Sequence, residues 1–330
     1  MRAMVARHPI RPSWSRRGLL HGLAGSLAAA SAMTLRPRSA HAAEEKLLEQ
    51  ATSEYNTILV TERGSIRTMY FVVDGTRYIE SRWDMANPNS LDLDYSRTMM
   101  AGFLVQPNPK RFMMMGVGGG QISNYLFERF PGLEIDAVDI DPEVVRLARK
   151  YFGVPDDPRY RTHVGDGRLF IEKAAAPWDM IMLDAFRGVF VPFHLKTKEA
   201  YQACLDHLTP SGVVVANLHN LTRMYPHDRE TLATVFPHCY SFVSESGNQT
   251  TFVAAADEQR IGTYAIREHA QIVKDRFDFD LAGLAARYYM RTDWDTEASV
   301  LSDDFKPEDL EAAAARHNST CIKGCEYPAQ

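Results

Sequence analysis

Residues 110–141, KRFMMMGVGGGQISNYLFERFPGLEIDAVDID, constrain the fold more than any other stretch of the chain. An apolar run at 112–115 has the length of one buried parallel strand. Gly116, Gly118, Gly119 and Gly120 follow. A helical period comes next, with Ile122, Tyr125, Leu126 and Phe130 on one face. A second strand at 134–138 ends on Asp139 and Asp141. Strand, glycine turn, helix, strand and acid form the first half of a nucleotide-binding α/β sheet. Glycine permits positive φ and a close approach of ligand to backbone. An acid about 20 residues past the turn can accept both ribose hydroxyls, which makes Asp139 the ribose candidate. The glycines are spaced G-x-G-x-G, and no Lys-Ser/Thr follows them, so a triphosphate loop is not indicated. The better fit is an adenosine ligand without a pyrophosphate, S-adenosylmethionine or a relative, with NAD as the competitor.

Strand and helix patterns alternate beyond Asp141. Helices are expected at 143–152, 168–173, 197–208 and 229–235. Strands are expected at 161–164, 178–183 and 213–217, with an antiparallel pair at 238–244 and 250–255. The fold class is therefore α/β: a mostly parallel Rossmann-like sheet of the S-adenosylmethionine-methyltransferase type. Residues 55–82 alternate like strands around turns at Arg63-Gly64 and Asp74-Gly75, a small antiparallel β-domain. Residues 43–54 read as a short charged helix or linker. Residues 91–105 read as one helix with Leu93, Met99, Met100 and Phe103 inward. The domain division is 1–42, 43–100, 101–260 and 261–330, the last a helical C-terminal extension. Asp166, in Gly165-Asp166-Gly167, and Asp184 each follow a strand, as Asp139 does. Ligands of such sheets bind beyond the strand C-termini, so the three acids are expected to converge on one crevice.

The chain of 330 residues carries a net charge of −5, with no basic excess that points to nucleic acid and no pI extreme that suggests a membrane surface. Ser15-Arg16-Arg17-Gly18 precedes an apolar stretch at 18–33, and Ala40-His41-Ala42 has the form of a cleavage site. This is the layout of a twin-arginine export signal. The mature chain is expected to begin near Ala43, to pass the twin-arginine translocase folded, and to reside in the periplasm or outside the cell without membrane attachment. In that oxidising setting Cys204 and Cys239 read as buried small hydrophobes. Cys321 and Cys325 read as a local disulfide or a metal pair, and no further metal ligands are evident near them.

These residues resemble the spermidine synthase (polyamine aminopropyltransferase) family over roughly 53–255. Ser53-Glu54-Tyr55-Asn56 is similar to its opening S-x-Y-Q/N, and Asp74-Gly75 with Tyr78-Ile79-Glu80-Ser81 to its hairpin. Asp94-Tyr95-Ser96-Arg97 sits where the family has Y-H-E. Gly118-Gly119-Gly120, Val138-Asp139-Ile140-Asp141-Pro142 and Gly165-Asp166-Gly167 match its G-G-G-D, V-E-I-D-P and G-D-G. Leu183-Asp184-Ala185-Phe186, then Pro192, His194 and Leu195, is similar to a bacterial branch reading LDAF…IPVHL.

The resemblance implies decarboxylated S-adenosylmethionine (or S-adenosylmethionine) as co-substrate, a small amine as acceptor, no metal, and a homodimer. It implies that Asp139 holds the ribose, Asp166 the adenine amino group, and Asp184 the reacting centre with Tyr95 packed on the sulfonium. Gly116, Gly118, Gly120, Gln121, Ile140 and Gly167 would frame the nucleoside. Asn56, Glu80, Gln121 and Arg187 would face the acceptor. This chain departs from the family where Gln121 replaces the acid of the glycine turn, Glu80 replaces Gln, and Arg187 enters a loop that usually carries a second acid. Three functions remain in play: an aminopropyltransferase with an atypical acceptor pocket, an S-adenosylmethionine-dependent methyltransferase, and a non-catalytic exported binding protein.

Overall fold

The protein is described by a computed structural model over residues 44–186, 191–220, 222, 224–247, 249–289 and 298–304. The expected export segment, Arg187 and its loop, and the tail with Cys321 and Cys325 lie outside the described residues.

Four strands, β1 (Lys46–Thr52), β2 (Thr57–Arg63), β3 (Ile66–Val73) and β4 (Thr76–Asp84), form an antiparallel sheet in chain order. The β3–β4 turn holds Asp74 at φ 50° and Gly75 at φ 78°, positive at both central residues as a tight hairpin requires. The first element corrects the expectation of a helix or linker at 43–54. Residues 46–52 pair along β2, and that ladder overrides a weak local helix preference.

The expected helix at 91–105 is two, α1 (Asp94–Met99) and α2 (Gly102–Val105). At the break, Met100, Ala101, Phe103 and Leu104 donate three residues back instead of four, a tightened turn that redirects the chain. Gly102 then packs on the second sheet, where a Cβ would lie 2.6 Å from Val215 Cγ2.

The second sheet contains β5 (Arg111–Met115), β6 (Glu134–Asp139), β7 (Tyr160–Val164), β8 (Trp178–Leu183), β9 (Leu208–His219), β10 (His238–Val243), β11 (Gln249–Ala255) and β12 (Tyr288–Tyr289). Their order is β12-β10-β11-β9-β8-β5-β6-β7. The five strands β7, β6, β5, β8 and β9 run parallel, and β11, β10 and β12 continue antiparallel. Helices α3 (Gln121–Arg129), α4 (Pro142–Tyr151), α5 (Gly167–Glu172), α6 (Lys198–Asp206) and α7 (Tyr225–Val235) make the crossovers; α8 (Thr263–Val273) and α9 (Leu281–Ala286) follow.

Covering both faces explains why β5 is apolar without alternation. Phe112 and Met114 enter one core with Phe103 and Leu126, while Met113 and Met115 enter the other with Trp178 and Ile181. Cys204 on α6 and Cys239 on β10 are buried thiols, as expected.

The two sheets are tied at Asp141, which is fully buried. It caps α4 by accepting from Glu143 N at 2.9 Å. It also accepts from Ser53 Oγ at 2.6 Å and Asn56 Nδ2 at 3.1 Å, both at the β1–β2 connection. An Asp141→Ala change strands these donors, and urea unfolding is expected to show a loss of about 3 kcal/mol. An Asp141→Asn protein should retain more than half of that.

Candidate active site

Parallel strands leave their crevice where the direction of crossover reverses, here outside the C-termini of β5 and β8. The chain leaves β5 through Gly116, Gly118 and Gly120 at φ 94°, 51° and 78°, a path open to glycine and strained for other residues. A Cβ on Gly116 would collide with the Asp184 backbone, so the turn and the tip of β8 press together. Gly120 then starts α3 with Gln121 as its first residue. Ser81 of β4 supports the turn from the other sheet, accepting from Gly119 N at 2.6 Å through Oγ.

Asp139 closes β6 against the same turn. Its Oδ2 accepts from Val117 N at 2.9 Å and its Oδ1 from Asp141 N at 3.0 Å. Asp184, just past β8, accepts from Asn217 Nδ2 at 3.0 Å and is also hydrogen-bonded by Tyr95. Both residues keep some accessible surface, yet protein crowds around the carboxyls. Desolvation is the main cause that raises each to about 6, and the hydrogen bonds oppose it. Asp166 behaves differently. It caps α5 through Leu169 N at 3.0 Å and meets His194 Nε2 at 2.7 Å, and the His194 contact lowers its carboxyl.

All three acids line one cleft of about 680 Å³. Tyr95, Gly116, Gly118, Gly120, Gln121, Ile140 and Gly167 line it as well, as do Asn56 and Glu80. Ile140 turns an apolar side chain outward, 40% exposed. Asn56 donates to Asp141, and Gln121 donates to Gly119 O at 3.3 Å through Nε2. Of the acid pair that ends β6, Asp139 faces the cleft and Asp141 does not. Among the described residues no group of His, Cys, Asp and Glu is arranged to hold a metal ion.

Sequence reasoning missed three contributors. Asn217 interrupts the buried apolar run at 213–218 within β9, and that interruption was the available signal. His194 stood inside a matched motif without a role. Ser81 likewise stood inside the matched hairpin motif without a role, because its partner lies 38 positions away.

A mostly parallel sheet with a glycine turn and strand-tip acids around one cleft defines a Rossmann-like α/β protein. The sequence model described as Spermine/spermidine synthase domain matches residues 94–245. Polyamine aminopropyltransferase of Vibrio vulnificus is 30% identical over 278 residues, covering 81% of this chain and 92% of the relative. The chain belongs to the spermidine synthase family. Among solved structures, a probable spermidine synthase from Corynebacterium glutamicum superposes with a TM-score of 0.58 at 18% identity, covering 78% of this chain and 99% of the other. A spermidine synthase in complex with the transition state analogue AdoDATO gives 0.52 at 18% identity, covering 81% and 83%.

The acids also set a pH dependence. A carboxyl whose pKa is raised by folding stabilises the native state below its unfolded pKa, and that contribution is lost as pH rises through about 6. Asp184→Asn removes the titration. Its melting temperature relative to the parent protein is expected to climb between pH 4 and pH 7, by the equivalent of about 2 kcal/mol. A flat difference across that range would contradict the assignment.

Proposed function

We propose that this protein transfers an aminopropyl group from decarboxylated S-adenosylmethionine to an amine acceptor, with Asp184 as the proton acceptor. The observation that carries the proposal is the placement of Asp184: recessed in the cleft beside the glycine turn and hydrogen-bonded by Asn217 and Tyr95, with burial raising its carboxyl to about 6. The neutral amine nitrogen attacks the methylene next to the sulfonium. A C–N bond forms as the C–S bond breaks, the bonding pair passes to sulfur, and methylthioadenosine leaves. The proton shed by nitrogen goes to the Asp184 carboxylate. The negative field of that carboxylate also stabilises positive charge as it builds on the nitrogen. Tyr95, in hydrogen-bond contact with Asp184 and lining the same cleft, would pack its ring on the sulfonium.

Asp139 would receive the ribose hydroxyls on lone pairs left after its backbone contacts. The outward face of Ile140 would pack on the adenine, with Asp166 and His194 at that end of the cleft. A second reading, methyl transfer from S-adenosylmethionine, draws on Gln121: a neutral residue at the head of α3 leaves room for the carboxylate that the decarboxylated donor lacks.

Incubation with each donor and a panel of diamines, followed by assay of released methylthioadenosine, separates the two. Methylthioadenosine should form from the decarboxylated donor. S-adenosylhomocysteine formed from S-adenosylmethionine would select methyl transfer. Asp184→Asn should lower turnover about 10²- to 10⁴-fold while methylthioadenosine affinity stays within about threefold. Asp139→Ala should abolish nucleoside binding with the fold intact; surviving affinity would misplace the ribose.

We also propose that residues 1–42 direct folded export by the twin-arginine route, a reading supported by Arg16-Arg17 and the flanking apolar stretch. Replacing both arginines with lysine should retain the uncleaved chain in the cytoplasm on cell fractionation. Unchanged export would overturn it.

A further inference from the structure

The ladder between β3 and β4 slips once. Ser81 lies opposite Met69, but Ile79 lies opposite Tyr70, so Glu80 is an extra residue with no partner across the sheet. Such a β-bulge bends the strand and re-aims side chains. In a regular strand Glu80 and Ser81 would face opposite sides. Here both line the cleft, together with Arg82.

Its neighbours in the bulge have partners. Ser81 holds the glycine turn, and Arg82 is ion-paired with Asp92, Nε to Oδ2 2.9 Å, although that Nε makes no hydrogen bond. Glu80 differs: its Oε1 is sealed from solvent and meets no donor. Desolvation pushes its carboxyl well above the usual range, and Asp184 and then Asp139 push it further. Of the basic side chains that line the cleft among the described residues, Arg82 is ion-paired with Asp92 and His194 meets Asp166. A carboxylate so placed is unfavourable in the empty protein and becomes favourable when a ligand brings a positive charge with N–H donors. Gln121, the other polar residue at the glycine turn, carries no charge to do this.

We propose that Glu80, aimed by the bulge, anchors an alkylammonium group of the bound ligand, which donates a hydrogen bond to the unpartnered Oε1. The proposal rests on the reading of the cleft given above for what brings the ammonium there. Two reactants carry one: the donor at the end of its aminopropyl chain, and the acceptor amine at its far end.

Calorimetry on the whole protein distinguishes them, comparing the parent with Glu80→Gln. The ligands are neutral methylthioadenosine, decarboxylated S-adenosylmethionine, and a diamine added to methylthioadenosine-loaded protein. Methylthioadenosine affinity should change less than about twofold, and affinity for one cationic ligand should fall at least about tenfold. Loss confined to the decarboxylated donor places its ammonium at Glu80; loss confined to the diamine places the acceptor there. If Glu80→Gln binds both cationic ligands like the parent, the proposal is overturned. Failure of the parent to bind methylthioadenosine would count against the nucleoside reading instead. Glu80 is then judged on diamine alone by the same tenfold criterion. Should Glu80→Gln not fold, Glu80→Asp, which keeps the charge but withdraws it by one methylene, is held to the same measurements.

Discussion

The hydrogen bonds from the backbone of Val117 and Asp141 to the Asp139 carboxylate join the glycine turn to the tip of β6, and the geometry of the cleft depends on them. They answer a problem of solvation. A carboxylate surrounded by protein loses water, and fixed N–H groups replace part of it. Asp184 meets the same demand with side-chain donors, Asn217 and Tyr95. In both cases compensation is partial, and the carboxyls remain poised near neutrality. An acid of that kind is ionised at working pH and still ready to take a proton, the condition general base chemistry needs.

The small antiparallel sheet is part of this arrangement rather than an appendage to it. Ser81 supports the glycine turn, and the β1–β2 connection reaches Asp141 at the head of α4. Two neighbouring acids on one strand end thus divide the work, Asp141 facing inward to fasten one sheet to the other and Asp139 facing the cleft. Asp166 combines functions in one residue, capping α5 while positioning His194.

Much of this was legible in the sequence because it is written locally. The glycine turn, the strand-tip acids and the hairpin turns each depend on residues close together in the chain, and all appear where the pattern put them. The family's motifs added Tyr95 and the segment Ser53-Glu54-Tyr55-Asn56. What was not legible depends on partners far away. Residues 46–52 look like a helix or linker until β2 pairs with them. The break between α1 and α2 follows from the contact of Gly102 with Val215 and Met180. The bulge at Glu80 is a property of the β3–β4 register, and the alternation of residues in β4 gives no hint of it. Asn217 and His194 take their meaning from acids on other strands.

The central claim is that the strand-tip acids and the glycine turn form one adenosine site, and a crystal structure with methylthioadenosine tests it most directly. The account predicts ribose hydroxyls within hydrogen-bond distance of Asp139, adenine against Ile140 toward Asp166, and the sulfur end of the ligand turned to Asp184. A nucleoside bound elsewhere on the protein, or lying in this cleft with its ribose away from Asp139, would contradict it.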